Sequence, residues 1–234
     1  MRRSSRRNAA CSRLVAAAAL LAALLPACGP HYPGGALHGD AACARADTFL
    51  TAVFPRPVSM HGRATFDVDS YRVRGRFKLE ISAHGDAVLE FSGSTLLGGH
   101  REDAVISIAS DTLRVLDRER GRFYEGDDVT AMVESGTHAR GDWMLGLRRV
   151  LVLGCPGIES VAAGEDGLAG SGADGPFSLK VEGGRMVAAT WPNPAPEETF
   201  RDRLEVRYRW RGGKLEFLEA LLPTRGWRIR LEAE

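Results

Sequence analysis

Residues 142–154 read DWMLGLRRVLVLG, the most apolar helical pattern in a chain that otherwise alternates as β-strands do. Asp142 suits an N-cap, because its carboxylate can accept from the first-turn amides, and Gly154 supplies the left-handed residue that commonly ends a helix. Arg148 and Arg149 lie together on one side, and apolar residues at helical spacing occupy the other. The pattern predicts a helix with one wet face that covers the mouth of a curved sheet. Its dry side comprises Trp143, Met144, Leu147, Val150 and Leu151.

Residues 71–81 show the strand pattern most clearly, because apolar and charged side chains alternate along them. Gly75 falls in the apolar series, where a missing side chain lets a long strand bend. Shorter segments of the same kind, separated by glycine turns, predict about ten or eleven antiparallel strands in a mainly β domain. A short helix capped by Asp40 and running to Phe54 is expected to pack on this sheet. The apolar series comprises Tyr71, Val73, Phe77, Leu79 and Ile81.

The first 28 residues predict export. Arginines without any carboxylate precede an apolar run, Leu14 to Leu25, which is too short to span a bilayer comfortably. The run ends in Leu-Pro-Ala-Cys28, which resembles a bacterial lipobox, so we expect Cys28 to be lipidated and to anchor the protein to a membrane. The alternative is an ordinary secretory signal with a chance cysteine.

Three parts follow from this interpretation: a signal peptide over residues 1–27, a lipidated cysteine with a flexible tether over 28–39, and one domain over 40–234. Losing the signal removes five arginines and leaves 26 basic against 30 acidic side chains, a net charge of −4. The basic residues alternate along strands instead of forming a patch, so we expect no nucleic-acid partner.

Cys43 and Cys155 remain once Cys11 has left with the signal and Cys28 is lipidated. In an oxidising periplasm this pair is most simply a disulfide, which would tie the N-terminal helix to the end of the central one. Closing a loop of about 113 residues stabilises by about 4–5 kcal/mol on the chain-entropy model. A metal pair or a catalytic thiol is the alternative, but the sequence has neither a C-x-x-C motif nor a nearby histidine to support it.

No motif in the sequence predicts catalysis. Residues 170–175 match the dinucleotide fingerprint, but Pro176 leads into a strand instead of a helix, so residues 164–175 are predicted to be a mobile loop. Asp127 and Asp128 fit a helix cap better than an acid and base pair. The sequence also lacks a P-loop, an H-E-x-x-H motif and a G-x-S-x-G elbow. We therefore expect no enzyme, no metal and no cofactor.

Leu96 and Leu97 form an apolar pair between Gly93 and Gly98-Gly99, which marks them as a loop tip. Two leucines at an exposed tip would insert into lipid or a partner protein. The alternative is that they fold inward over the core.

Several short sequence segments resemble those of a known family. They are LRVLD at residues 113–117, RFYEG at 122–126, and the central helix followed by Gly154-Cys155-Pro156. With the lipobox and the long meander, they resemble the lipoprotein-localisation factors LolA and LolB and related lipoproteins over most of residues 40–234. The resemblance implies an incomplete barrel whose apolar interior holds acyl chains under a helical lid. It also implies that Leu96 and Leu97 match the protruding loop of the membrane-bound acceptor. Gly75 and the pair of Cys43 and Cys155 are not features associated with the membrane-bound acceptor, so they favour a divergent relative of it.

We therefore expect a half-barrel covered by two helices and lipid-anchored on the periplasmic face of the outer membrane of a Gram-negative bacterium. Its pocket would bind acyl chains of a lipid or lipoprotein without catalysis, using the apolar residues of the long strand and of the central helix. The alternative is a structural or assembly lipoprotein whose sheet is filled by its own helix and which docks to envelope proteins.

Overall fold

The computed structural model describes most of the chain after residue 36, and the described residues lie within one compact unit, residues 34–234. Cys28 and the Leu96-Leu97 pair lie outside the described residues, as do the signal, the tether before residue 37, Asp127, Asp128 and Asp142. The predictions on these residues therefore stay predictions. The described ranges are 37–68, 71–95, 101–109, 112–126, 143–155, 157–164, 166–172, 175–192, 203–223 and 226–234.

The described residues form fourteen strands of a single sheet. They are β1 (Leu37–His38), β2 (Val58–Val68), β3 (Tyr71–Ile81), β4 (Ala87–Thr95), β5 (Arg101–Ala109), β6 (Thr112–Asp117), β7 (Arg122–Gly126), β8 (Ile158–Gly164), β9 (Gly167–Gly172), β10 (Gly175–Glu182), β11 (Arg185–Pro192), β12 (Arg203–Arg211), β13 (Lys214–Leu222) and β14 (Trp227–Ala233).

All neighbouring strands are antiparallel, which confirms the predicted fold class at the level of a mainly β, antiparallel sheet. Strands β2–β7 form one meander and β8–β14 a second. The two meanders join where β14 pairs with β2, with Leu231 opposite Ala64. Strands β1 and β7 are the outer strands of the order, so the sheet is not closed.

The predicted count of ten or eleven strands is too low, and the largest error is the predicted loop over residues 164–175, which contains β9. Glycine-rich composition normally indicates a loop, but here the glycines permit close strand contact. A Cβ on Gly167 would lie 2.1 Å from the Leu179 carbonyl oxygen, and one on Gly170 would lie 2.0 Å from the Ser160 carbonyl oxygen. The neighbouring strands β8 and β10 therefore require glycine at these positions.

The described residues include two helices, α1 (Gly39–Val53) and α2 (Trp143–Leu151). Helix α1 buries Ala42, Ala46 and Leu50 on one side, at the spacing of successive turns. The predicted cap at Asp40 is wrong: His38 is the N-cap residue and makes no side-chain cap, and Asp40 lies in the first turn. The helix begins early because residues 37–38 are held in an extended pairing with β8.

Helix α2 ends earlier than Gly154, the predicted stop. The Leu153 amide donates to the Arg148 carbonyl (2.8 Å), which closes the last turn, and Val152 takes the left-handed conformation with φ 57°. A β-branched residue is disfavoured there, at a cost of about 1–3 kcal/mol. Val152 and Leu153 are nevertheless buried, so their packing in the core offsets that cost. Gly154 is also left-handed, but it lies beyond the end of the helix.

Candidate functional site

The dry face of β3 carries the predicted pocket residues of that strand. Val73, Phe77, Leu79 and Ile81 are all buried, as their alternation with exposed charged residues requires. Tyr71 belongs to the same series, but its side chain lies outside the described part of the chain. At Gly75 a Cβ would lie 2.2 Å from the Ser92 carbonyl oxygen, so the missing side chain lets β4 approach closely.

Helix α2 contributes to the same apolar region. Val150 and Leu151 are buried and Leu147 is half-buried against them. Val150 and Leu151 belong to the same contiguous apolar core as Phe77, Leu79 and Ile81, and Leu147 packs against that core. Trp143 and Met144 begin the helix, but their side chains are not among those described.

Arg149 corrects the predicted wet face of α2. Its side chain is 1% exposed, its Nη1 donates to the Pro192 carbonyl oxygen (3.0 Å), and its Cζ lies 5.6 Å from the centre of the Trp191 ring. Arg149 and Leu151 are about 200° apart around the helix axis, so they face nearly opposite directions. Since both are buried, α2 is covered by protein on both sides.

Trp191 holds the other side of this contact. Its ring is stacked on Phe177, with 5.0 Å between ring centres, and the Arg149 guanidinium lies over it. The side chain is 1% exposed, yet within the described structure its indole Nε1 has no hydrogen-bond partner. A buried donor without an acceptor is uncommon and costs about 1–3 kcal/mol. No sequence pattern indicates this pair, because Trp191 and Arg149 meet only through the fold.

Tyr208 on β12 fixes the end of α2. Its hydroxyl donates to the Val150 carbonyl oxygen (2.8 Å), one of the carbonyls that a helix end leaves without an intrahelical partner. Phe54 packs edge-on against the Tyr208 ring at 5.5 Å between centres. Burial raises the pKa of Tyr208 well above its usual value, because the phenolate would lose its hydration.

Arg56 and Arg148 lie at the C-terminal end of α2. Arg56 donates from Nη2 to the Val152 carbonyl oxygen. Desolvation lowers the pKa of Arg56, the nearby Asp47 raises it, and the positive charge of Arg148 lowers it. The partial negative charge of a helix C-terminus stabilises such cations.

Cys43 on α1 and Cys155, just after α2, pair as a disulfide with their Cα atoms 5.5 Å apart. The predicted pairing is confirmed. It fixes α1 relative to the segment that leaves α2.

The opposite face of the sheet is charged. Besides Arg149, the buried charged side chain among the described residues is that of Glu219. It lies beneath Arg207, Arg228 and Arg230. The nearest of these contacts, from Arg230 Nη2, is 3.0 Å long. Arginines on the same face of the sheet therefore neutralise Glu219. Arg149, in contrast, is a buried charge on the apolar side.

An apolar row interrupts the charged face near strand β7. Val105, Leu116 and Phe123 are cross-strand neighbours on β5, β6 and β7. Leu116 is 36% exposed and Phe123 is 59% exposed. Exposed apolar side chains that are contiguous across strands indicate a contact surface more strongly than single ones do.

No protein-family model matches the chain, and no curated protein matches it in sequence. Within the described ranges, no group of three or more His, Cys, Asp and Glu side chains is placed to hold a metal ion. No helix among the described residues is long and apolar enough to cross a membrane.

Proposed function

We propose that the chain is an outer-membrane lipoprotein, anchored through Cys28 on the periplasmic side, whose sheet curves into a half-barrel and binds acyl chains of a lipid or lipoprotein. The two-sided burial of α2 is the observation that carries this proposal. A helix lying on a flat sheet keeps one side wet, whereas a helix inside a curved sheet is covered on both sides. Arg149 and Leu151 are buried on opposite sides of α2.

The area of the dry face also supports the proposal. Fourteen strands at about 4.8 Å spacing make a sheet about 65 Å wide. Helices of 15 and 9 residues are about 22 and 14 Å long and about 10 Å wide, so they cover only about a fifth of such a face. An apolar face of that size must curve on itself or be covered by further material.

On this proposal, a sheet of this width that curves on itself encloses more space than its own side chains fill. Closed barrels of about eight strands are filled by side chains, and larger ones surround a cavity. On this proposal, α2 fills part of the interior and an acyl chain fills another part. Transfer of each methylene from water contributes about 0.8 kcal/mol, so a partly buried chain binds without many polar contacts.

Acyl-chain binding is tested with a fluorescent fatty acid and two matched variants of the full chain. Leu147→Gln places an amide beside the apolar cluster, and Leu116→Gln makes the same change on the opposite face. We expect Leu147→Gln to weaken binding at least tenfold and Leu116→Gln to leave it within twofold. Equal effects, or no binding by the unaltered chain, would contradict the proposal.

The anchor is tested separately. Replacement of Cys28 by Ser removes the thiol that would carry lipid, so the protein should move from the membrane fraction to the soluble periplasm. Metabolic labelling with palmitate should mark the unaltered protein and not the variant. If the variant stays in the membrane fraction and the unaltered protein takes up no palmitate label, a lipid anchor at this residue would be contradicted.

A structural or assembly lipoprotein is the second candidate, and the apolar row of Val105, Leu116 and Phe123 favours it. Such a protein would fill its own interior and dock through this row beside strand β7. It would take up no acyl probe, and a photocrosslinker at position 123 would join it to one envelope protein. Leu116→Gln would abolish that crosslink if the row is the contact surface.

A further inference from the structure

We infer that the charged face of strands β14, β2 and β3 binds the anionic surface of a membrane. This face is opposite the apolar side of the sheet, so it is separate from the proposed acyl-chain site. The inference rests on the proposed function in one respect, because the lipid anchor supplies the choice of partner.

The register of these three strands places nine side chains of the charged face in a three-by-three grid. Each row of the grid runs across β14, β2 and β3 in that order. Six of the nine positions hold arginine, and all six arginines are exposed. They are Arg63, Arg72, Arg74, Arg76, Arg228 and Arg230. Alternation along each strand puts them on one face, and the pairing of the strands puts them side by side.

Four arginines of the grid are paired with carboxylates in or next to it. The pairs are Arg72–Asp67, Arg228–Glu219, Arg230–Glu219 and Arg63–Glu234. Glu232, the remaining carboxylate of the grid, pairs with Arg209 on β12. The carboxylates of this region are therefore already occupied.

Arg74 and Arg76 on β3 are the two arginines left over. Neither forms an ion pair with a carboxylate of the described residues. Arg63 lies directly opposite Arg76, and like charges at opposed positions destabilise a sheet. Six arginines against four carboxylates leave this face with an excess of two positive charges.

The ionisation of Glu234 is consistent with that excess. The hydrogen bond from Arg63 and the positive charges of Arg63, Arg76 and His61 lower the pKa of Glu234, whereas desolvation raises it. The net shift is downward, so the arginines around this carboxylate favour a negative charge beside them.

The dimensions of the grid fit an extended anionic surface better than a single ion. Strands about 4.8 Å apart, with outward residues about 6.8 Å apart along each strand, make the grid about 10 Å by 14 Å. Arg230 and Arg74 lie on either side of Thr65, whose hydroxyl is a further donor at the centre. Guanidinium groups bind phosphate oxygens through paired N–H donors. Several lipid phosphates can therefore be bound at once.

The proposed anchor favours a membrane over a soluble acidic partner. If Cys28 carries lipid, residues 28–36 join the lipid to β1 and span at most about 30 Å. The domain then stays close to the membrane, where lipid phosphates are present at high effective concentration. The potential of an anionic membrane attracts basic residues that come within a screening length of its surface.

Vesicle binding tests the inference in the full chain carrying Cys28→Ser, which removes the proposed lipid from the measurement. Vesicles of phosphatidylcholine alone are compared with vesicles of equal parts phosphatidylcholine and phosphatidylglycerol. We expect binding to the anionic vesicles to be at least about twentyfold tighter at about 0.1 M salt. The preference should largely disappear at about 1 M salt, where the screening length is about 3 Å.

Two double variants assign the preference to the grid. Arg74→Gln with Arg76→Gln removes the unpaired charges, and each arginine near an anionic membrane changes affinity about fivefold, so the preference should fall at least about tenfold. Arg45→Gln with Arg122→Gln is the matched control, because it removes two exposed arginines outside the grid. The control should keep the preference within twofold. The arginines before Cys28 are the same in both variants, so their contribution cancels in the comparison.

Equal preferences in the two double variants would overturn the inference. Binding to poly-glutamate without any preference for anionic vesicles would also overturn it, in favour of an acidic protein partner. Neither result affects the proposed function, because acyl uptake and palmitate labelling are measured separately and do not involve Arg74 or Arg76. If the double variant does not fold, Arg74→Gln against Arg45→Gln decides alone, with an expected difference of about fivefold.

Discussion

The hydroxyl of Tyr208 joins strand β12 to the end of helix α2 through a hydrogen bond to the Val150 carbonyl oxygen. It satisfies the Val150 carbonyl in a region where water does not replace it, since both residues are buried. Losing the hydroxyl therefore leaves a buried acceptor unsatisfied, which costs more than the net value of an exposed hydrogen bond.

We predict that Tyr208→Phe lowers the free energy of unfolding by about 1–2 kcal/mol, measured by urea denaturation. Thr48→Val is the control, because the Thr48 hydroxyl donates to the Ala44 carbonyl oxygen on an exposed side of α1. That change should cost less than about 0.5 kcal/mol. Comparable losses in the two variants would show that the Tyr208 contact has no special role.

The buried Tyr208 also makes the free energy of unfolding depend on pH in the alkaline range. Burial raises the folded pKa of Tyr208, whereas in the unfolded chain tyrosine ionises near pH 10. Above that pH the unfolded chain binds fewer protons than the folded protein does. The stability linked to Tyr208 is therefore complete below about pH 10 and falls above it, by up to about 1.4 kcal/mol per pH unit.

We predict that the free energy of unfolding declines less steeply between pH 10 and 11 in Tyr208→Phe than in the unaltered protein. Urea denaturation at closely spaced pH values measures the two slopes. Identical slopes would mean that Tyr208 is not protected from solvent in the folded state.

The burial of Arg149 is a feature that the sequence pattern does not predict. On a helical wheel it lies opposite Leu147, and a charged residue in that position is normally solvated. Its burial depends on Trp191 and Pro192, which are more than 40 residues away in sequence. The pairing of Cys43 with Cys155, in contrast, was predictable, because compartment and cysteine number left few partners.

At the scale of elements, strand β9 depends on its glycines for contact with β8 and β10. Any side chain on Gly170 would meet both the Ser160 carbonyl oxygen and the Phe177 ring, the latter at 2.9 Å. Gly164 is the last residue of β8 and pairs with Gly167, and a Cβ there would meet nothing closer than 3.7 Å. Both glycines belong to the same glycine-rich segment of the sequence, but only Gly170 lies at a close contact between strands.

We predict that Gly170→Ala lowers the free energy of unfolding by about 1–3 kcal/mol, because the strands must move apart to accept the methyl group. Gly164→Ala should be neutral within about 0.5 kcal/mol. Thermal denaturation of both variants checks the difference. A neutral Gly170→Ala would indicate that β9 does not pair closely with its neighbours.

The strands that alternate strictly, such as β3, were predictable, since their pattern alone determines which face is dry. Strand β9 was not, because its residues have low strand propensity and its pairing is supplied by neighbouring strands. The ends of the helices also depend on tertiary contacts. Strand β1 sets the start of α1, and core packing of Val152 and Leu153 sets the end of α2.

For the whole molecule, the disulfide between Cys43 and Cys155 is the longest-range covalent constraint among the described residues, with a sequence separation of 112. It joins the first helix to the start of the second meander. The pairing of β14 with β2 closes the other long-range connection, and no local pattern in the sequence predicts it. Whole-molecule topology is therefore the part of the fold that sequence patterns determine least.

We predict that replacing both Cys43 and Cys155 by Ala lowers the free energy of unfolding by about 4–5 kcal/mol, on the chain-entropy model for a loop of this length. Urea denaturation without reductant measures the difference. Addition of reductant should bring the unaltered protein to the level of the variant and leave the variant unchanged. Equal midpoints without reductant would show that the bond does not constrain the unfolded chain.

The central claim is that the apolar side of the sheet and helix α2 hold an acyl chain, and mass spectrometry of the purified protein tests it most directly. Native spectra should show added mass that denaturing spectra lose, and the released compound should contain a long acyl chain. Leu147→Gln should reduce the bound fraction, whereas Leu116→Gln should not. A folded protein whose native and denaturing masses agree, and which takes up no acyl chain when one is supplied, would contradict the account.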